Sequence, residues 1–266
     1  MTNAAAEAPE YSEAMIELLA LVWGEGFLSP GGPGEVAELL QGIDVAGKRV
    51  LDVGCGAGGI ELLLARDYGA AEVLGIDVEA PVLEHARRLI ARRGLADRVR
   101  FEQVSPGPLP FADQSFDVVF SKDAVIHIPD KEAWCRDMFR LLRPGGILVA
   151  SDWMRIDEAP PSAAMRAYMD IEGLSFSMSA LPRYGAALAA AGFQQVQLRD
   201  RNDWYCGVVQ SEFERIRGPL REALVAAVGL AETERNIELW RRLCGVVGSG
   251  ELRPGHFVGI KPAHGA

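Results

Sequence analysis

Short apolar runs alternate with stretches of helical periodicity along most of this chain. The runs that predict strands are residues 50–53, 73–77, 99–104, 116–120, 147–152, 193–199 and 256–261. Helical spacing of apolar residues marks 11–22, 35–41, 60–66, 81–93, 131–142, 181–192 and much of 203–247. Because strands and helices alternate through the middle of the chain, the pattern predicts a doubly wound α/β fold. Its seven-stranded sheet is expected to be mostly parallel, with helices on both faces.

The first predicted strand runs into a glycine-rich turn. Residues 50–59 read Val-Leu-Asp-Val-Gly-Cys-Gly-Ala-Gly-Gly, and an amphipathic helix follows. Glycine is needed in such a turn because a Cβ would block either the backbone conformation or the approach of a ligand. In a doubly wound sheet the ligand lies outside the carboxyl end of the first strand. We therefore predict that Gly54, Cys55, Gly56 and Gly58 border a ligand.

Two acids indicate which ligand this turn holds. Asp52 precedes the turn, where its charge would disfavour a pyrophosphate and suit a cation. Asp77 ends the second strand, where an acid accepts hydrogen bonds from ribose hydroxyls. A phosphate-free adenosyl ligand with a positive sulfonium satisfies both acids, and another kind of nucleotide-binding α/β protein is the alternative. In residues 50–59 and 75–77 the chain resembles class I S-adenosylmethionine-dependent methyltransferases, which implies a Rossmann-like fold and S-adenosylmethionine as cofactor.

Composition narrows the function classes. The 266 residues are 49% hydrophobic, enough for a well-buried core, and the net charge of −10 disfavours a nucleic acid as partner. The four cysteines are scattered without metal-site spacing, which predicts reduced thiols in a cytoplasmic protein and no metal. The amino terminus lacks the pattern of a signal peptide, and no apolar run is long enough to span a membrane. We expect a small-molecule substrate; the oligomeric state is left open.

The segment after the fourth strand carries the candidate catalytic residues. It reads Ser121-Lys122-Asp123-Ala124-Val125-Ile126-His127-Ile128, at the same carboxyl edge of the sheet. Residues four apart share a face of a helical turn, which predicts that Asp123 and His127 lie together. An imidazole takes up a proton near neutral pH, so we predict His127 as a general base. The alternative is a hydrogen-bonded structural histidine.

A loop rich in glycine and proline lies between the first two predicted helices. Residues 23–34 include Trp23 and Phe27, which either anchor the loop on the core or belong to a lid that closes over the cofactor. Residues 153–180 are rich in methionine and aromatic residues, a pattern more typical of packing than of cofactor contact. The helical stretch between the last two strands predicts a substrate cap.

Two segments resemble those of phosphoethanolamine N-methyltransferases. Residues 23–32 resemble the glycine-bearing lid of that family, and residues 121–128 resemble its Ser-Arg-Asp-Ala-Ile-Leu-His-Leu segment. The resemblance implies that Ser29, Gly54, Asp77 and Asp123 border the cofactor and that His127 is the base.

The departures from that family bear on the substrate. The family's catalytic tyrosine falls near Leu19, and its second lid tyrosine falls at Phe27. A phosphate-binding arginine falls near Glu172, residues 245–250 replace a basic stretch, and Ser105 stands where an acid holds the adenine. A site without those cations should bind a phosphomonoester poorly.

These observations lead to four hypotheses. The first is N-methylation of an amine or amino acid without phosphate. Its cationic acceptor would be surrounded by Glu172 and by the aromatic residues Trp23, Trp153, Tyr168 and Trp204. The second is true phosphobase N-methylation, with phosphate contacts from Arg155, Arg166 or Arg183. The third is O-, S- or C-methylation of a natural-product intermediate, because a fold does not determine a substrate. The fourth is a cofactor-binding module without catalysis.

The predicted site can be stated residue by residue. The cofactor-binding set is Ser29, Asp52, Gly54, Cys55, Gly56, Gly58, Asp77, Val78, Ser105, Ser121 and Asp123; the catalytic pair is Asp123 and His127. The substrate-binding set is Trp23, Phe27, His127, Trp153, Tyr168, Glu172 and Trp204. The chain is expected to form one domain, in which residues 1–48 are tail, helix and lid. Residues 49–152 are the cofactor-binding core, and residues 153–266 complete the sheet and add the cap.

Overall fold

The computed structural model of the chain describes residues 11–173 and 176–263. Its strands are β1 (Arg49–Val53), β2 (Glu72–Asp77), β3 (Val99–Gln103), β4 (Phe116–Lys122), β5 (Leu142–Arg155), β6 (Gln194–Asp200) and β7 (Leu252–Ile260). Its α-helices are α1 (Glu13–Trp23), α2 (Gly32–Leu39), α3 (Gly59–Arg66), α4 (Ala80–Arg92), α5 (Lys131–Leu141), α6 (Ala163–Glu172), α7 (Leu181–Ala191), α8 (Asn202–Arg217), α9 (Arg221–Val228) and α10 (Leu230–Gly248). A short 3-10 helix covers Val125–His127. The predicted tail at 1–10 lies outside the described residues.

The seven strands form one sheet in the order β3-β2-β1-β4-β5-β7-β6. The first five strands in this order are parallel, and β7 runs antiparallel to both β5 and β6. The predicted mostly parallel, doubly wound sheet is therefore confirmed. The order of the strands reverses between β1 and β4. Because β1, β2 and β4 are parallel, their carboxyl ends lie at the same edge of the sheet, where such folds bind ligands.

Several element boundaries differ from those predicted. β5 begins at Leu142 rather than at residue 147, because Leu142 already pairs with Phe116 across a shift in register. β7 begins at Leu252 rather than at residue 256, because its first residues pair with the extension of β5 as far as Arg155. In both cases, pairing with a neighbouring strand extends the strand through residues whose glycines and prolines predict a turn.

Apolar side chains form three clusters. One lies between the sheet and the helices α2, α3 and α4, and a second lies on the opposite face under α5 and α7. The third is built from α1, α6 and the helices α8 to α10. The helices α8 to α10, which lie between β6 and β7 in the chain, are here called the cap. The cap therefore has a core of its own, and the space between that core and the carboxyl edge of the sheet is where a substrate cavity forms.

Candidate functional site

The glycine-rich turn brings bare backbone to the carboxyl end of β1. Gly54 has a φ of +78°, and a Cβ there would lie 2.1 Å from the Cβ of Ala124. Gly56 has a φ of +54°, and a Cβ there would lie 3.0 Å from Leu28 of the loop that follows α1. Larger residues would thus collide with the segment after β4 or with this loop. The turn fits a ligand that approaches the main chain closely.

Asp77 ends β2 beside that turn. Its carboxylate oxygens accept hydrogen bonds from the backbone N–H groups of Gly56 and Glu79, both at 3.0 Å. Burial raises the pKa of Asp77, while these amides and the charge of His127 oppose the rise. The next side chain, Val78, is 47% exposed. An acid held in place beside an exposed apolar side chain suits the ribose and adenine of an adenosyl ligand, so this part of the site fits S-adenosylmethionine.

The acid of the first strand does not face that ligand. Asp52 is fully buried next to the equally buried Glu61 of α3, and neither carboxyl group receives a donor from the described residues. Burial raises the pKa of both groups, that of Glu61 well above its usual value. The prediction that Asp52 contacts a cation is wrong in this geometry, because strand alternation turns its side chain under α3. Desolvation favours the protonated form of this carboxyl pair.

Two other predicted cofactor residues on this edge lack an exposed polar group. Ser121 is fully buried, and its hydroxyl donates to the carbonyl oxygen of Val53 at 2.8 Å, which ties β4 to β1. Cys55 is buried as well, and burial raises the pKa of its thiol. Ser105, in contrast, lies exposed after β3. We therefore correct Ser121 to a structural position.

A buried lysine joins the loop of residues 23–34, here called the lid, to the segment after β4. Lys122 Nζ donates to Ser29 Oγ at 2.7 Å and to the carbonyl oxygen of Pro30 at 3.0 Å. The same ammonium pairs with Asp123 at 2.5 Å, and both side chains are almost completely buried. The sequence pattern did not predict this role of Lys122, although its place next to Asp123 at a strand end was a usable signal. Ser29 and Asp123 are thus brought together through a shared cation.

Asp123 and His127 reach the same cavity by an irregular turn, not by a common helical turn. Asp123 has a φ of +59°, a conformation that costs energy for a residue with a Cβ. The 3-10 helix that ends at His127 then follows. Ser151 Oγ donates to Asp123 at 2.9 Å, so the Asp123 carboxylate is held by a cation and a hydroxyl. Both side chains line one cavity, but the predicted helical turn is not the geometry that places them there.

Buried side chains hold the backbone of the turn that carries His127. Asp152 accepts from the backbone N–H of Ile126 at 2.9 Å and from the hydroxyl of Tyr184. Lys131 Nζ donates to the carbonyl oxygen of Val125. Burial raises the pKa of Asp152 to about 7, while Lys131 opposes the rise. These bonds restrict the positions that the imidazole of His127 can adopt.

A cavity of about 110 Å³ lies between this turn, the lid and the cap. That volume holds a small organic molecule. Its wall includes Ser29, Asp123, His127 and Leu19, and its aromatic members are Tyr11, Trp23, Trp153, Tyr168, Phe176, Tyr205 and Trp240. The structure therefore brings together most of the predicted catalytic and substrate-binding residues.

Charged groups from α6 and α10 also line the cavity. Glu172 and Arg235 both line it, together with Asn236. Burial raises the pKa of Glu172 to about 7, and the charge of Arg235 opposes the rise. Arg235 donates to Glu232 at 2.9 Å and to the carbonyl oxygen of Ile171. The sequence pattern did not predict Arg235 and Asn236 as site residues, because no local pattern connects the middle of α10 to α6.

Two predicted substrate residues lie elsewhere. Phe27 is buried in the core against Gly59, where a Cβ would come within 3.1 Å of its ring, and so it anchors the lid on α3. Trp204 packs on the lid at Gly31 and under the guanidinium of Arg201, 4.9 Å from its ring centre. We therefore correct both residues from substrate contacts to anchors of the loop.

The chain is similar to known methyltransferases. The profile of a family described as a methyltransferase domain matches residues 44–197. Phosphoethanolamine N-methyltransferase of Triticum aestivum is 33% identical over 241 residues, which are 90% of this chain and 46% of that protein. The methyltransferase GfsG of Streptomyces halstedii is 36% identical over 177 residues, which are 65% of this chain and 63% of that protein. The chain spans about half the length of the phosphoethanolamine N-methyltransferases it matches.

A solved structure shares the fold. It is phosphoethanolamine N-methyltransferase 2 of Haemonchus contortus in complex with phosphomonomethylethanolamine and S-adenosylhomocysteine. The TM-score is 0.87 at 23% identity, and the alignment covers 95% of this chain and 59% of that chain. No helix in the described part of the chain is both long and apolar enough to cross a bilayer.

Proposed function

The chain belongs to the methyltransferase domain family, and from that premise we propose that it N-methylates a small amine or amino acid that lacks a phosphate group. The methyl donor is S-adenosylmethionine, and His127 is the general base. The predicted class I S-adenosylmethionine-dependent methyltransferase domain, resembling phosphoethanolamine N-methyltransferases, is confirmed by the family match, the relatives and the fold. The acceptor and the role of His127 are the proposal.

The cofactor half of the proposal rests on the carboxyl edge of β1 and β2. Asp77 would accept from the ribose hydroxyls, and the main chain at Gly54 and Gly56 would lie against the rest of the ligand. When bound, S-adenosylmethionine supplies an electrophilic methyl group on a positive sulfonium. Asp123 and Ser29 line the cavity, and they would border the end of the cofactor that carries the transferred methyl group.

The observation that carries the acceptor class is the charge of the cavity. Among the described residues that line it, Arg235 is the one permanent cation, and its guanidinium is engaged by Glu232 and by the end of α6. Glu172 stands beside it as an acid, and most of the remaining wall is aromatic or aliphatic. Aromatic faces and a carboxylate attract an ammonium group and offer little to a phosphate.

His127 has the chemistry and the position for proton removal. It lines the cavity and lies close enough to Asp77 to affect the pKa of that carboxyl group, so it is near both the acceptor and the cofactor side. An amine nucleophile must be unprotonated to attack, and the imidazole of His127 would take the proton that the acceptor nitrogen loses. The lid and the cap would exclude water from the same space.

Phosphobase N-methylation is the second candidate, favoured by the names of the Triticum aestivum and Haemonchus contortus proteins. The arginines considered for a phosphate are engaged elsewhere. Arg183 pairs with Glu132 at 3.0 Å, Arg155 lies 4.0 Å from Glu251, and Arg166 donates to the carbonyl oxygen of Pro161. On this ground we rank the phosphate-free acceptor first.

Labelled-methyl transfer to paired acceptors tests the proposal. Ethanolamine and amino-acid amines are compared with their phosphorylated counterparts, and His127→Ala is assayed beside the wild type. We expect turnover on the free amines, a loss of about 10²- to 10⁴-fold in His127→Ala, and unchanged S-adenosylhomocysteine binding in that variant. Turnover confined to phosphorylated acceptors would refute the acceptor class. Unchanged turnover in His127→Ala would refute the base. If no amine reacts while the cofactor binds, O-, S- or C-methylation replaces the proposal.

A further inference from the structure

Glu212 is a buried carboxylate behind the aromatic wall of the cavity. It lies on α8 and is 3% exposed. Its Oε1 accepts from the indole N–H of Trp23 at 2.7 Å. Its Oε2 accepts from the indole N–H of Trp240 at 3.1 Å and from the hydroxyl of Tyr205 at 3.2 Å. One carboxylate thus joins aromatic residues from α1, α8 and α10.

These three donors favour the ionised form of Glu212. Burial raises its pKa, and each of the three hydrogen bonds opposes the rise. Arg215 is the cation that acts on Glu212, yet its guanidinium donates to the carbonyl oxygen of Val22 at 3.0 Å. The negative charge is therefore compensated chiefly by neutral aromatic donors. A carboxylate held by neutral donors keeps more of its negative potential at the surrounding rings than one paired directly with a cation.

The rings attached to Glu212 form part of the cavity wall. Trp23, Tyr205 and Trp240 all line the cavity. Trp23 and Trp240 lie 5.8 Å apart between ring centres, and Trp153 meets Tyr205 edge to face at 4.8 Å. Hydrogen bonds to an anion make indole and phenol rings more electron-rich, which strengthens their attraction for a cation over the ring face.

We infer that Glu212 is the positioning residue through which the cavity prefers an ammonium ligand to a neutral ligand of the same shape. It orients the rings of Trp23, Tyr205 and Trp240 and adds negative potential behind them, without itself touching the ligand. The inference rests on the proposed function, because it concerns the acceptor site of the same cavity.

A purely structural role would predict a different result. If Glu212 only held the cap together, its loss would weaken every ligand of the cavity by a similar factor. If it supplies negative potential, its loss weakens the cation and leaves the neutral ligand nearly unaffected. The ratio of the two affinities therefore separates the two roles.

The experiment measures that ratio by isothermal titration calorimetry with S-adenosylhomocysteine present. The two probes are choline and its neutral tert-butyl isostere, in which carbon replaces the quaternary nitrogen. The proteins are the wild type, Glu212→Gln and the matched control Glu214→Gln, whose side chain is exposed on the same helix and pairs with Arg217. Neither probe titrates, so the comparison does not depend on the protonation of the ligand.

We expect the wild type and Glu214→Gln to bind choline about two- to thirtyfold more tightly than the isostere. We expect Glu212→Gln to lose most of that preference while binding the isostere as the wild type does. A preserved preference in Glu212→Gln, or an equal loss for both probes, would overturn the inference and leave the proposed function standing. No preference in the wild type would overturn the inference and the proposed cationic acceptor together.

If Glu212→Gln does not fold, as judged by circular dichroism, Tyr205→Phe takes its place. It removes one donor to Glu212 but keeps the ring and the charge. The inference then expects the affinity ratio to stay within about twofold of the wild type, because the charge supplies the preference. Complete loss of the preference in Tyr205→Phe would assign it to the hydroxyl and overturn the inference.

Discussion

The substitution Glu172→Gln tests whether the carboxyl group of Glu172 is desolvated in the cavity. Burial raises the pKa of Glu172 from 4.5 to about 7 in the folded protein. A raised folded-state pKa means that the carboxyl group favours folding fully only below its unfolded pKa. That contribution is lost as the pH rises towards the folded-state value. Glutamine keeps the shape of the side chain and does not ionise, so the variant should not follow this pH dependence.

The magnitude follows from the two pKa values. Between about pH 5 and about pH 8.5 the unfolded chain is ionised at this residue throughout, whereas the folded chain ionises only near pH 7. About two pH units at 1.36 kcal/mol each then give a change of about 2.5 kcal/mol in the stability difference between the two proteins, with the variant gaining as the pH rises. This value is a ceiling, because water in the cavity would reduce it.

Urea unfolding at several pH values measures this change. Taking the change with pH, rather than the difference at one pH, cancels any effect of the amide on packing. The control is Glu238→Gln on α10, because the side chain of Glu238 is 35% exposed and its two arginine partners lower its pKa to about 2. Glu238 is thus ionised across the measured range, and its variant should give a nearly flat difference. A flat difference for Glu172→Gln as well would refute the description of Glu172 as a desolvated acid.

Three further predictions concern the cofactor side. Gly54→Ala should destabilise the fold by more than about 2 kcal/mol in thermal unfolding, because its Cβ would lie 2.1 Å from that of Ala124; normal stability would contradict the tight turn. Asp77→Asn should weaken S-adenosylhomocysteine about ten- to a hundredfold in calorimetric titration by removing a charged acceptor, and unaltered affinity would exclude that contact. Lys122→Met should lower the free energy of unfolding by about 3–5 kcal/mol in urea, because it leaves Asp123 buried without its cation. A loss below about 1 kcal/mol would show that the lid does not depend on this lysine.

The strand, glycine turn and helix at residues 50–66 could be read from the sequence because their causes are local. Apolar residues define the buried strand, and glycines permit the positive φ values of the turn. The acid at the end of β2 and the segment with Asp123 and His127 could also be predicted from the sequence. Each lies at the end of a strand of a parallel sheet or directly after it, which places it at the carboxyl edge. The match of these predictions to the structure reflects short-range constraints on the backbone.

The direction of each side chain could not be predicted from the sequence in the same way. Asp52 lies on a predicted strand and Ser121 directly follows one, yet both side chains point into the protein, where Glu61 and the carbonyl oxygen of Val53 meet them. Trp204 and Phe27 have the residue types of a substrate wall but pack on the lid and the core. Residue type and spacing indicate which element a residue occupies. They do not indicate what packs against it.

The acceptor cavity was decided by tertiary structure. Its chemistry depends on Glu172 from α6, on Glu212 behind the wall from α8, and on Arg235 from α10. These helices are separated along the chain and meet because their apolar faces share one core with α1. The sequence by itself therefore determined the cofactor-binding half of this protein, whose causes lie within a few residues of one another. The charge and shape of the acceptor site arose only when distant helices packed together and desolvated the groups between them.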